Sequence, residues 1–170
     1  MEHIDRLKEI EPHIYNGGEI CFYPCKAAIQ KSAASYPSIG YEITGADCYV
    51  LADLAFPSVF ELLFISAFRA DQPIEKLLFH ISLLEENGFS KCRIDVLFPG
   101  FSISKDLADW ILNKENQHIT NDPVHLAFYA AQKIVGRYSG DLAMTEHTDD
   151  QTVFTVTLYQ ESDELKNPPE

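Results

Sequence analysis

The sequence lacks the features that would place a protein in a membrane or on a nucleic acid. No apolar run approaches the roughly 20 residues that a spanning helix needs, so no membrane association is expected. The opening residues, MEHIDRLKEI, carry both charge signs and no apolar stretch, which argues against a secretory leader and for a cytoplasmic protein. Basic residues are scarce: 13 Lys and Arg face 26 Asp and Glu, for a net charge of −13. Such a field repels phosphate backbones, and no basic cluster offsets it, so no nucleic-acid partner is expected.

Cysteine is sparse and unpatterned. Cys21, Cys25, Cys48 and Cys92 form neither a CxxC pair nor a zinc-finger spacing, so no metal site is expected. Cys48 and Cys92 fall in strand patterns and read as small buried hydrophobes, kept reduced in a cytosolic protein. There is no Gly-x-Ser-x-Gly elbow and no recognisable Cys-His nucleophile pair. His118, Asp122 and His125 lie close in sequence, but loop spacing supplies no ligand set. Asp122 reads as a helix cap, with the two histidines as polar neighbours. His80 and His147 fall in strand patterns as sheet-face residues.

What is present is ordinary globular material, 46% hydrophobic and 23% charged, in a chain of 170 residues that suits one domain. Residues 1–18 read as a linker or a short helix, with Ile4, Leu7, Ile10 and Ile14 at helical spacing around Pro12. Residues 19–160 read as the domain, and 161–170, with two prolines, as a frayed tail. Within the domain a strand over 19–23 precedes an alanine-rich helix over 26–36 that Pro37 ends. Two strands, 40–44 and 48–51, flank Gly45-Ala46-Asp47. An apolar helix follows over 54–70, with Val59, Leu62, Leu63, Ser66 and Ala67 at helical spacing and Pro57 near its start.

Leu77, Phe79, Ile81 and Leu83 alternate along one strand, and Cys92, Ile94, Val96 and Phe98 along another. Asn87-Gly88 between them is a strong hairpin signal, with flanking polar residues suggesting a longer loop or a bulge. Helices over 104–112 and 124–138 and a hairpin over 142–159 complete the order. Ser104 reads as a cap, with Leu107, Ile111 and Leu112 on the inner face. That order describes an α+β two-layer sandwich, a mixed sheet covered on one face by about three helices.

The ordered segments resemble the histidine-kinase type of ATPase domain, in the superfamily that includes gyrase and the heat-shock-ninety chaperones. Val50-Leu51-Ala52-Asp53 followed by Val59 through Ala67 is similar to the family's "v.aD…vl.NLl.NA" helix. VLFPGFSISKDLADWI, from Val96, resembles the first glycine box, and LAFYAAQKIVGRY, from Leu126, the helix after the second. Gly140 to Leu158 resembles the closing hairpin. The resemblance spans about residues 19–160 and implies the histidine-kinase ATPase fold.

The departures bear on function. The family's magnesium-holding asparagine falls at Ser66 and the preceding asparagine at Leu62. Serine is a poor oxygen ligand for a hard cation. The aspartate that reads the adenine amino group falls at Phe98, which cannot accept that hydrogen bond. Gly100 remains from the glycine box, with Ser102 at its second glycine. The second glycine box reads Pro123-Val124-His125-Leu126-Ala127-Phe128, so the glycines that bring backbone to the phosphates are gone. Thr152 matches a threonine beside adenine, and equally suits a strand by β propensity.

No phosphoacceptor histidine box is recognisable, and His3 with Asp5 reads as an exposed polar end. The resemblance therefore implies a degenerate module of two-component signalling, without catalytic residues or a required cofactor, that binds a response regulator or another signalling protein. Decayed domains of this kind serve as docks in some histidine phosphotransferases. The alternative is a divergent domain that still binds ATP and Mg2+, through Ser66, Gly100, Ser102 and Thr152. A third reading has Phe98, Phe101 and Phe128 lining a site for an apolar ligand.

Overall fold

A computed structural model describes residues 19–69, 74–101, 105–112 and 123–160. The expected leading helix and frayed tail lie outside these residues, as do Ser102, the cap Ser104, His118 and Asp122. The elements are β1 (Cys21–Pro24), α1 (Cys25–Ala33), β2 (Gly40–Gly45), β3 (Tyr49–Ala52), α2 (Phe56–Phe68), β4 (Lys76–Glu86), β5 (Phe89–Pro99), α3 (Lys105–Leu112), α4 (Pro123–Arg137), β6 (Asp141–His147) and β7 (Gln151–Tyr159). The side chains of Leu107, Ile111 and Leu112 in α3 are not among those described.

The sheet has five strands in the order β2-β4-β5-β7-β6, with only the β2–β4 pair parallel. That parallel pair requires a crossover, which β3 and α2 provide. A separate two-stranded ribbon pairs β1 with β3. The two strands flanking Gly45-Ala46-Asp47 thus enter different sheets rather than one hairpin. Gly45 is where β2 must stop and turn: its φ is +89°, and a Cβ there would lie 1.9 Å from the Ile81 carbonyl oxygen. Only glycine allows that backbone approach.

The β4–β5 hairpin is tighter than the flanking polar residues suggest. Both strands run 11 residues, leaving Asn87 and Gly88 alone as the loop, each at positive φ. Positive φ at both central residues is the type I′ geometry, whose twist matches that of the strands, so pairing continues up to the turn.

Helix α2 is the centre of the molecule. Phe56, Val59, Phe60, Leu62, Leu63, Phe64, Ile65 and Ala67 are all buried, because α1 and α4 flank it and the sheet lies beneath. Phe60 and Phe64 meet Phe79 of β4 at ring-centroid distances of 6.1 and 5.8 Å. Each such ring contributes roughly 1.5–3 kcal/mol by leaving water. Its N-terminus has no side-chain cap on the helix itself; instead the carboxylate of Asp53, just upstream, accepts from the Ala55 N–H at 2.9 Å. On α4, Ala127, Phe128, Ala131, Ile134 and Val135 face the core, while Leu126 is half-buried.

The cysteines depart from expectation. Cys48 and Cys92 form a disulfide across 44 residues of sequence, in place of the expected reduced pair. The loop before β3 folds back onto the middle of the sheet, a juxtaposition that sequence spacing does not encode.

Candidate functional site

The candidate site lies at the C-terminal end of β5. Phe98 is fully buried and stands opposite Thr152 of β7 in the strand register. Its ring lies 5.6 Å from that of Phe101 and 5.3 Å from that of Phe154, and Phe154 in turn meets Phe128 of α4 at 4.4 Å. Edge-on and tilted aromatic pairs of this kind each add about 0.5–1.5 kcal/mol beyond the area they bury. The four rings form an apolar plug between α4 and the two strands.

The polar groups around this plug are engaged within the chain. The Thr152 hydroxyl donates to the Phe101 carbonyl at 2.8 Å, and the residue is fully buried. Gly100, at φ +70°, donates its N–H to the Asp150 carbonyl at 2.6 Å, joining the end of β5 to the turn before β7. Thr152, Phe98, Phe101 and Gly100 are therefore brought together. Ser66 is fully buried on α2, and its hydroxyl donates to the Leu62 carbonyl one turn back, at 2.9 Å. In that rotamer its proton serves the helix backbone. Leu62 is likewise fully buried. His125 stacks on Trp110 at 5.0 Å with 11° between planes, joining α4 to α3.

A second constellation sits at the opposite end of the helices. Asp53 is fully buried, and its carboxylate accepts hydrogen bonds from Arg137 Nη2, the Tyr138 hydroxyl and the Ala55 N–H. Burial, reinforced by the neighbouring Asp53 carboxylate, pushes the Tyr138 phenol well above the usual range, so it is a neutral donor at physiological pH. The group ties the start of α2 to the end of α4. Asp53 and Arg137-Tyr138 each lie in segments that carry the family resemblance, but nothing in their spacing shows that they meet.

No family model and no curated protein matches this chain. Solved structures do. The histidine kinase AdeS of Acinetobacter baumannii superposes with a TM-score of 0.62 at 14% identity, over 95% of this chain and 77% of that one. The catalytic domain of histidine kinase ThkA gives 0.61 at 18% identity, over 84% of this chain and 97% of its own. The fold is that of a histidine kinase catalytic domain. The mycobacterial sensor histidine kinase MprB extends the likeness, with a TM-score of 0.57 at 12% identity over 83% of this chain. As expected from the sequence, the histidine kinase ATPase-like fold is an α+β sandwich with a mixed sheet, and the aromatic plug sits on it where β5 ends and β7 begins. Among the described residues no helix is long and apolar enough to cross a membrane.

Proposed function

We propose that this chain is a degenerate histidine-kinase ATPase-like domain that works as a protein-binding or regulatory module of two-component signalling in the cytoplasm, without ATP hydrolysis or kinase activity. Its partner is a response regulator or another signalling protein. The observation that carries this reading is Phe98, fully buried against Phe101 and Phe154 at the strand position where the resemblance places the adenine-reading aspartate. A phenyl ring there offers no acceptor and fills space with carbon. Ser66, at the magnesium-holding position, directs its hydroxyl into its own helix. The second glycine box has no glycine. Each missing interaction costs about 1–3 kcal/mol when its partner group goes unpaired. Three together, about 3–9 kcal/mol, weaken a micromolar site at least about 100-fold, to roughly 0.2 mM at the low end and beyond millimolar over most of the range.

The retained Thr152 and Gly100 favour a second reading, a divergent domain that still takes ATP and Mg2+ with Ser66 and Ser102. Calorimetric titration with ADP and a non-hydrolysable ATP analogue, in the presence of magnesium, separates the two. Absence of heat at millimolar nucleotide supports the binding-module reading, and saturable heat at micromolar nucleotide overturns it. Titration against purified receiver domains of response regulators then tests the partner class.

A further inference from the structure

Three of the four cysteines converge from separate parts of the chain. Cys25 opens α1, Cys48 precedes β3, and Cys92 sits in β5, at the centre of the sheet. All three are buried, and their sulfurs lie within 4.8 Å of one another. Cys25 Sγ is 3.6 Å from Cys92 Sγ and 3.7 Å from Cys48 Sγ. The backbone around them is fixed. The Cys25 N–H donates to the Cys48 carbonyl at 3.0 Å, and one Asp47 oxygen accepts from both the Lys26 and Cys48 N–H groups at 2.9 Å. Cys21 is exposed and stands apart from the group.

We propose that reduction of the Cys48–Cys92 disulfide opens a three-coordinate site for a soft, thiophilic ion, with Cys25, Cys48 and Cys92 each supplying one sulfur. In the opening step an external dithiol gives two electrons and two protons. The S–S bond breaks, two S–H bonds form, and the dithiol closes into its own disulfide. Cu(I) then displaces the thiol protons to solvent, whereas arsenite, As(OH)3, exchanges its three hydroxides for the three sulfurs and releases them with the thiol protons as three waters. A metal–thiolate bond of about 2.3 Å puts three sulfurs about 4 Å apart around one ion. Cys25 already holds close to that spacing from both partners, so opening the site requires only the bonded pair to separate.

The coordination number narrows the ligand. Among the described residues no other His, Cys, Asp or Glu joins the group. Zinc in structural sites takes four protein ligands, whereas thiolate-rich, low-coordinate sites select Cu(I). Trivalent arsenic shares this chemistry and forms a neutral complex with three thiolates. Charge separates the two in a buried site, because Cu(I) leaves net negative charge that burial disfavours.

The test uses the full chain, reduced with a dithiol, desalted without oxygen, and checked by circular dichroism. It is titrated in separate arms with Cu(I) against a chromophoric chelator, with arsenite, and with Zn(II). The expected result is one equivalent of Cu(I) or arsenite retained per chain, with Zn(II) bound far more weakly. The arm that binds more tightly identifies the ion. Cys25→Ala, a small replacement at a buried position, is expected to weaken binding by more than the roughly 10- to 100-fold that outer-shell changes produce. Cys21→Ser leaves binding unchanged, and the oxidised chain binds none. Equal or tighter Zn(II) binding, full retention in folded Cys25→Ala, no stoichiometric binding, or unfolding on reduction would each overturn the proposal.

Discussion

Removing the Asp53 carboxylate tests whether the start of α2 and the end of α4 are held by one buried polar cluster. In Asp53→Ala the Tyr138 hydroxyl and the Ala55 N–H lose their partner, and both residues are buried. Each unpaired group costs about 1–3 kcal/mol. Arg137, whose side chain is 29% exposed, can turn toward water and adds less. The two groups together come to about 2–6 kcal/mol, which brackets the roughly 3–5 kcal/mol seen when one member of a buried pair is deleted. Against a total stability of about 5–15 kcal/mol that is a large fraction. Urea unfolding followed by circular dichroism reads it as a lower midpoint at unchanged slope. Asp53→Asn, which keeps an oxygen for Ala55 and Tyr138, is expected to lose less. Combining Asp53→Ala with Tyr138→Phe should give less than the sum of the single losses, by about 1 kcal/mol or more, since the two share one bond. A loss below about 1 kcal/mol for Asp53→Ala, or simple additivity in the cycle, would refute the reasoning.

Further outcomes follow from the same physical account. Burial, helped by the Asp47 charge, pushes the Cys25 thiol from its ordinary 9.0 up to about 12. The folded state thus favours the protonated thiol. Its stability contribution is complete below about pH 9 and is lost as pH rises toward 12, with a slope of up to about 1.4 kcal/mol per pH unit that Cys25→Ala should flatten in unfolding experiments at pH 9–11. On the proposed reading Phe98→Asp should not create nucleotide binding in calorimetry, because the stretch Pro123 to Phe128 also has no glycine, and it should destabilise by about the 3–5 kcal/mol of a deleted core aromatic or more. Gly45→Ala should lower the melting temperature more than an exposed Gly→Ala change does, since its Cβ would lie 1.9 Å from the Ile81 carbonyl oxygen. Any rise in melting temperature would contradict the close approach.

Much of the fold is legible because the signals are local. Alternation along β4 and β5 with Asn87-Gly88 between them specifies a hairpin through backbone twist, and the turn proves tighter than its polar flanks suggest. The apolar circumference of α2 marks it as buried on every side before any neighbour is known. The order of four resembling segments points to the histidine-kinase ATPase fold, and the superpositions agree. The candidate site is less legible. Thr152 and Phe98 can be placed on strands from sequence, but their being cross-strand partners depends on register over distant residues. The Ser66 residue type allows a ligand role, and only its rotamer shows the hydroxyl turned to Leu62.

Residue order alone carries the element order, the hairpin turn and the burial of α2, and it puts Ser66, Phe98 and a glycine-free stretch from Pro123 to Phe128 within the segments that resemble the kinase motifs. These depend on residue type and on periodicities of two and 3.6, which neighbours in the chain impose. Tertiary structure alone decided that β2 and β3 join different sheets, that Asp53 meets Arg137 and Tyr138, and that Cys25, Cys48 and Cys92 come together. Those outcomes are contacts between distant segments, chosen by how α1, α2 and α4 bury their apolar faces on one sheet. No local spacing carries that choice.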